Sequence, residues 1–272
     1  MNYTKKFKKA IRLNRFFWPR SLLRVFSHSD DPRKLLNKNI NPSEFIKSVS
    51  ALKFDKTWKT TQRKRFPTMV NLLKSIKYSK NPIILDVGAS TGSASLDIIF
   101  NIPYKKYFLT DLNPEVFVQS KGLNTYFFDV YGNCFMVANN FFIFYPQYIN
   151  VILKIDKNHD SMIKINLLDP ILLKSSKRVQ TKKYNMLKPW KYEKVDLIII
   201  GNLLNRSLFS RDNIFLALRN LMNALNPGGR LAIVENRAKE KGSLFQLKND
   251  KLSLESDYNG GTEIKELIDN LI

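Results

Sequence analysis

Residues 82–111 read PIILDVGASTGSASLDIIFNIPYKKYFLTD. The apolar run Ile83–Val87 fits a strand buried on both faces. Gly88-Ala89-Ser90-Thr91-Gly92 follows as a tight turn, and Ser93 to Phe100 reads as the start of a helix. Lys106 to Thr110 is a second strand, ending at Asp111. Glycines in such a turn let the backbone approach a ligand closely, and the helix start offers N–H groups without intrahelical partners. Asp111, 25 residues after Asp86, stands where a carboxylate can accept hydrogen bonds from ribose hydroxyls. These features point to an adenosine-containing ligand.

The rest of the chain extends the pattern. Val195 to Ile200 reads as another buried strand, followed by a helix from about Arg211 to Leu225. Asn226-Pro227-Gly228-Gly229 reads as a turn, and Arg230 to Val234 as a further strand. Strands alternating with helices imply an α/β fold with a doubly wound, mostly parallel, Rossmann-like sheet. Between Asn124 and Lys177 the rhythm breaks. Tyr126–Phe128, Cys134–Val137 and Phe141–Tyr145 resemble a short meander with turns at Gly132-Asn133 and Asn139-Asn140, and a helical stretch is expected over 148–155. This predicts a β-rich insertion at about 124–178. Leu244 to Glu255 reads as a hairpin, and Gly260-Gly261 leads into a final helix, Glu263 to Leu271. Residues 81–272 are therefore expected to form one domain, and residues 1–80 a basic helical N-terminal region. Within that region Asp31-Pro32, Asn41-Pro42-Ser43-Glu44 and Phe66-Pro67 are helix starts.

Composition narrows the function classes. The 272 residues are 44% apolar and 25% charged, as in an ordinary globular chain. One cysteine, Cys134, excludes a disulfide framework and a cysteine-rich zinc site, and it reads as a core residue. Two histidines, His28 and His159, argue against a histidine-built metal site or a His-dependent triad, and both read as surface residues.

The net charge of +22 is uneven: residues 1–80 hold 21 basic residues against four acids, net +17, whereas the remaining 192 hold 24 against 19, net +5. The first 27 residues carry eight basic residues and no acid, with Phe7, Ala10, Ile11 and Phe17 compatible with one helical face. That reads as an interfacial helix on an anionic membrane surface, or as a helix packed on the main domain with solvated lysines. The composition also fits a mitochondrial transit peptide, but not a secretory signal. Nucleic acid is the other class of phosphate partner. No run long enough to span a membrane occurs, so the expected location is cytoplasmic, peripheral to a membrane if residues 1–27 bind one.

The order ILDVGASTG, LTDLNP, VDLIIIGNLLN, LNPGGRLAIVEN resembles the class I S-adenosylmethionine-dependent methyltransferases, over about Pro82 to Arg237 without the insertion. The Gly-rich turn alone fits NAD and S-adenosylmethionine equally. The resemblance implies that Asp86, Gly88, Ala89, Ser90 and Gly92 surround the amino acid part of S-adenosylmethionine. It also implies that Asp111 holds the ribose, that Leu112 lies beside the adenine, and that Asn202 opens a loop near the transferred methyl. The pair Asn185-Met186 before VDLIIIGNLLN is similar to chemotaxis receptor methyltransferases, which implies Asn185 at the adenine amino group. Gly201 departs from that pattern, where the family has Arg. Asp129 is a second candidate for the adenine. As plain alternatives, Asn185 and Asn202 are caps of local turns.

GASTG also resembles the nucleotide loop of short-chain dehydrogenases, and Tyr184 and Lys188 form a literal Y-x-x-x-K. Pro189 directly after Lys188 disfavours the helix that pairing needs. Ser175 and Ser176 lie too close to Tyr184 to complete it. The expected activity is transfer of a methyl group to a small-molecule or lipid-like acceptor. RNA or protein methylation, and a non-catalytic cofactor-binding or membrane-associated role, are the alternatives. Gly201-Asn202-Leu203-Leu204 stands where amino-methylating nucleic acid enzymes carry Asn-Pro-Pro-Tyr. Asn202, Asn205, Arg206 and Glu235 are candidates for groups at the cofactor mouth.

Overall fold

The computed structural model describes residues 31–54, 57–78, 80–140, 143–146, 162–174, 178–236 and 238–269. The basic segment 1–27, His28, His159, Ser175, Ser176 and the helix expected over 148–155 lie outside them. In chain order, a 3-10 turn (Pro32–Leu36) and helix α1 (Pro42–Val49) precede the short strands β1 (Lys53–Phe54) and β2 (Thr57–Trp58), then helix α2 (Pro67–Ser75). Strand β3 (Ile83–Val87), helix α3 (Leu96–Asn101) and β4 (Lys106–Asp111) follow. Next come β5 (Glu115–Lys121), β6 (Asn124–Phe128), β7 (Cys134–Ala138), β8 (Ile143–Phe144), β9 (Ile163–Asn166) and α4 (Pro170–Lys174). The chain then forms β10 (Val179–Lys183), β11 (Val195–Gly201), α5 (Arg211–Ala224), β12 (Leu225–Asn236), β13 (Glu240–Lys248), β14 (Lys251–Tyr258) and α6 (Lys265–Asp269).

The chain divides into two units, 1–61 with 113–174 and 62–112 with 175–272. The division differs from the sequence expectation in two ways. Residues up to 61 group with the insertion, and α2 groups with the main sheet. The insertion's first strand is β5, about ten residues earlier than expected. The alternation that marks it is short: Val116 and Val118 are buried while Phe117 and Gln119 are half-buried.

In the first unit β8, β7, β6, β5 and β9 pair antiparallel in that order. Leu35, Phe45, Val49 and Leu52 pack with Val116, Val118, Phe127, Met136 and Tyr145 in one core. The Tyr145 hydroxyl donates to the Ala51 carbonyl at 2.7 Å. The two expected caps form here: Asp31 accepts from Arg33 N, and Asn41 accepts from Ser43 N and Glu44 N. Cys134 is a core residue, 6% exposed, and burial pushes its thiol up to about 11.

The second unit carries a seven-stranded sheet, β10-β4-β3-β11-β12-β13-β14. Pairing is parallel from β10 to β12 and antiparallel through β13 and β14. The sequence order of strands reverses between β3 and β11, and at such a switch point the loops leaving adjacent strands diverge and open a crevice. The connection from β4 to β10, where a doubly wound sheet would place a helix, instead carries the insertion.

Leu85, Val87, Ile198, Ile200, Leu231 and Ile233 point to one face, against Ile214, Ala217, Leu218 and Leu221 of α5. The two-residue period of the strands thus meets the three-to-four-residue period of the helix. The turn expected at Asn226–Gly229 is present as a break in pairing. The register jumps from Val195↔Leu225 to Leu197↔Arg230, and Asn226 Nδ2 donates to Asp196 Oδ1 across the gap at 2.8 Å. The expected C-terminal hairpin is β13–β14, turning at left-handed Asn249 and Asp250 (φ 47° and 58°). Among the described residues the final helix is Lys265–Asp269.

Helix α2 has no local cap; its first N–H groups are met from far along the chain. Glu240, 8% exposed, accepts from Thr68 N at 3.0 Å and Met69 N at 2.8 Å, and the Tyr258 hydroxyl donates to the same carboxylate at 2.8 Å. Glu240→Ala leaves these donors buried without an acceptor. It is expected to lower the unfolding free energy by about 2–4 kcal/mol. Glu240→Gln, which keeps one acceptor oxygen, is expected to lose less than half of that. Urea midpoints at unchanged slope measure both.

Candidate functional site

The crevice is built by the ends of β3, β4 and β11. Directly after β3 the backbone enters the left-handed region three times, at Gly88 (φ 69°), Ser90 (φ 58°) and Gly92 (φ 76°). Ala89 N donates to Thr110 O at 2.9 Å and Gly92 N to Ala89 O at 2.8 Å, which closes the turn against the end of β4. Ser90 is an L-residue in a conformation that costs on the order of 1 kcal/mol. Its N–H donates to Asp111 Oδ2 at 3.0 Å, which offsets that cost. Gly88 is required for a second reason: a Cβ there would lie 2.3 Å from Cδ2 of Leu203.

Asp86 lies beneath the turn and is 5% exposed. Its Oδ2 accepts from Ser95 Oγ at 2.6 Å and from the Tyr107 hydroxyl at 2.7 Å. Burial pushes its carboxyl above the ordinary 3.8, and the two hydrogen bonds pull it part of the way back. Burial also holds the Tyr107 hydroxyl well above its ordinary value, reinforced by the Asp86 charge. The Ser95 hydroxyl is thereby diverted from capping α3, which begins at Leu96 rather than at Ser93. Asp86 therefore supports the turn from below.

At the end of β11, Asn202 is again left-handed (φ 55°). Its N–H donates to Val234 O at 2.8 Å, and its Oδ1 accepts from Asn236 N at 2.6 Å. Asn236 Nδ2 in turn donates to Arg65 O at 2.6 Å, so the segment before α2 is tied to the site. Gly201 is fixed by the same segment. A Cβ at Gly201 would lie 2.7 and 2.9 Å from two ring carbons of Phe66, which leaves no room for the arginine of the chemotaxis-type pattern.

Two side-chain atoms in this crevice are buried and have no hydrogen-bond partner: Ser90 Oγ and Asn202 Nδ2. They stand just past the ends of β3 and β11, the neighbouring strands at the switch point. A buried polar atom left unpaired costs about 1–3 kcal/mol. Ser48 Oγ and the Tyr78 hydroxyl are also buried without a partner, but Ser90 Oγ and Asn202 Nδ2 stand together at the switch point.

The other sequence candidates divide. Asp111 and Leu112 end β4 beside the turn, and Leu112 is 42% exposed for an apolar side chain. Asn185 follows β10, whose last residue pairs with Asp111. Its Oδ1 accepts from Leu187 N at 3.0 Å, which makes it the cap of a local turn. Met186 is corrected outright: it is 4% exposed, its side chain joins the core against α5, and Asn220 Nδ2 holds its carbonyl at 3.1 Å.

Asp129 belongs to the first unit and accepts from Tyr131 N and Asn133 N in the β6–β7 turn. Asn205 organises the loop after Asn202 by accepting from Ser207 N and Leu208 N. Glu235 accepts from Thr262 Oγ1 at 3.2 Å and lies 3.5 Å from Lys241 Nζ, while Arg206 N donates to Glu263 at 2.6 Å. Sequence reading missed the roles of Phe66 and Asn236. Each acts only through contacts about 135 and 34 residues away along the chain, to Gly201 and Asn202 respectively.

No known family matches the chain, and no curated protein matches it. Solved structures with some likeness include the N-methyltransferase NodS from Bradyrhizobium japonicum WM9 in complex with S-adenosyl-L-homocysteine. It is 15% identical over 72% of this chain and 73% of that chain, with a TM-score of 0.38. The S-adenosylmethionine-dependent methyltransferase SibL is 12% identical over 62% of this chain and 35% of that one, with a TM-score of 0.36. The mitomycin 7-O-methyltransferase MmcR is 13% identical over 64% and 36%, with a TM-score of 0.35. The matched region thus spans about a third of SibL and MmcR. None of these likenesses assigns an activity to this chain.

Two expectations follow. Asp86 titrates above its ordinary value in the folded chain, so the folded state binds more protons than the unfolded state between the two values. Stability contributed at this site is therefore highest at acid pH and falls as pH rises upward from about 3.8. Asp86→Asn is expected to flatten that part of the stability–pH curve, measured by urea unfolding from pH 3 to 7. Ser90→Gly relieves the left-handed strain and is expected to raise the unfolding free energy by about 0.5–1 kcal/mol without ligand, measured in the same way.

Proposed function

We propose that this chain is a methyltransferase that binds S-adenosylmethionine in the crevice at the ends of β3, β4 and β11. The observation that carries the reading is the pair of buried, unpartnered atoms Ser90 Oγ and Asn202 Nδ2, on either side of the switch point. A ligand with a polar, charged end would satisfy both, and the amino acid portion of S-adenosylmethionine is such an end. The left-handed turn brings backbone rather than side chains up to it. The Asp111 carboxylate, one oxygen of which accepts from Ser90 N, would take the ribose hydroxyls through its remaining lone pairs. Leu112 would offer apolar surface to the adenine. The expected role of Asn185 at the adenine is kept only through lone pairs not used by Leu187 N.

S-adenosylmethionine, when bound, supplies a methyl group on a sulfonium, which leaves by in-line displacement and needs a nucleophile about 3 Å away. The chain's part is to orient and to exclude water. Leu203 packs on Gly88 and closes one side of the crevice. Of the charged side chains at these strand ends, Asp86 is held by Ser95 and Tyr107, and Arg206 lies 3.6 Å from Glu266. Glu235 is committed to Thr262, Glu263 and Lys241. The acceptor in this reading presents a lone pair in line with the departing sulfur. Its expected class, small-molecule or lipid-like, rests on Gly201–Leu204 standing in place of Asn-Pro-Pro-Tyr.

Calorimetric titration with S-adenosylmethionine tests the reading. Micromolar binding is expected, weakened about 5- to 30-fold in Ser90→Ala and in Asn202→Ala, and lost in Asp111→Ala. Absence of heat with protein that unfolds cooperatively would overturn it.

A further inference from the structure

The positive charge of the chain has a second concentration. Residues 81–272 carry a net +5, and Arg178–Lys194 alone carries six basic residues against Glu193, also +5. The remainder of those 192 residues is thus neutral. In the structure this stretch is β10, the edge strand of the main sheet, and the loop that leads to β11. Its one acid, Glu193, is ion-paired with Lys106 on β4.

The loop is built on an aromatic cluster. Trp190 packs edge-on against Tyr184 at 5.1 Å and Phe108 at 5.2 Å, and lies 4.9 Å from Tyr192. The polar tips are tied down: Trp190 Nε1 donates to Glu193 O at 2.8 Å, and the Tyr184 hydroxyl donates to Lys188 O at 3.2 Å. On this rigid base Lys188 and Lys191 stand exposed, and Lys182 Nζ lies 5.0 Å from the Tyr192 ring centre. Tyr192 is 51% exposed and is the one large apolar side chain of Arg178–Lys194 that faces solvent.

We propose that this edge is a docking surface for single-stranded nucleic acid, with Lys182, Lys188 and Lys191 along the phosphates and Tyr192 against a base. Lys182 beside the exposed Tyr192 ring, which is backed by Phe108 at 6.0 Å, and the exposed Lys188 and Lys191 on the same loop fit a polyanion whose bases can stack. An anionic bilayer fits less well, because an interfacial element needs apolar side chains to bury and this loop turns its own inward. The inference does not rest on the methyl-transfer reading, although the surface adjoins that site: Lys182 pairs with Thr110 beside Asp111.

The test uses the full chain, whose residues 1–27 supply a constant electrostatic background. Binding of a fluorescein-labelled 20-nucleotide oligouridine is followed by anisotropy at 50 to 300 mM salt. Lys182→Glu/Lys188→Glu/Lys191→Glu is compared with a control of equal charge, Lys239→Glu/Lys248→Glu/Lys251→Glu, in and beside the β13–β14 hairpin at the opposite edge of the sheet. The surface triple is expected to weaken binding at least about tenfold, with a salt slope shallower by about two. Three lost phosphate contacts at roughly 0.7 each give that change. The control is expected to cost no more than about threefold, and Tyr192→Ala about fivefold or more. If the surface triple does not unfold cooperatively, the Lys→Gln triple replaces it. Equal losses in both triples would overturn the proposal. So would loss of sedimentation with phosphatidylserine vesicles, in the surface triple only, while oligouridine binding is unchanged.

Discussion

The hydrogen bond from Ser90 N to Asp111 Oδ2 is the constraint on which the crevice depends. Three left-handed residues in a five-residue turn are not a conformation that a chain holds by itself, and only two of them are glycine. The end of β4 supplies what the turn lacks: Thr110 O for Ala89 and the Asp111 carboxylate for Ser90. From below, Asp86 is held by Ser95 and Tyr107, and Thr110 Oγ1 donates to its carbonyl at 2.8 Å. Parallel pairing of β3 with β4 places all of these groups together. A shift in register by one residue would remove Asp111 from Ser90 and turn Asp86 toward α5.

The opposite wall follows from a second set of distant contacts. Asn202 is positioned by Asn236, Asn236 by Arg65 O, and Gly201 by the Phe66 ring. The segment before α2 is itself anchored because Glu240 meets the start of that helix. Carboxylates in this unit thus serve largely as acceptors for backbone and hydroxyl donors: Glu240 at α2, Glu235 at Thr262 and Glu263, Asp196 at Ile83 and Asn226. Buried carboxylates used in this way order the structure and are not available as bases. Ser90 Oγ and Asn202 Nδ2, just past the ends of adjacent strands at the switch point, are buried without a partner, and this marks the site.

The local parts of the fold were legible in the chain. Apolar runs of five or six residues gave β3 and β11 their ends to within one residue. Pro after Asp or Asn gave the starts of the 3-10 turn and α1, and glycines gave the turns after β3 and before Arg230. These signals are local because strand burial, cap geometry and left-handed φ are decided within a few residues. Asp86 and Asp111 at the ends of β3 and β4, Gly88, Ser90 and Gly92 in the turn, and Asn202 just past β11 stood out as candidates for the same reason. Less legible was what depends on pairing at a distance. Strand β5 buries only two valines, and β1, β2 and β9 are two to four residues long.

The sequence by itself determined the alternation of strands and helices, the left-handed turn after β3, and the acid at the end of β4, because each is written in adjacent residues. The tertiary structure decided which of the candidates are occupied elsewhere. Met186 belongs to the core, Asn185 caps a turn, Glu235 clasps the C-terminal helix, and Gly201 makes room for Phe66. It also decided that the described residues 31–54 and 57–61 group with the insertion and that Lys182 of the edge strand lies beside Tyr192. Those outcomes depend on which surfaces bury each other, and burial is set by packing between elements far apart in the chain.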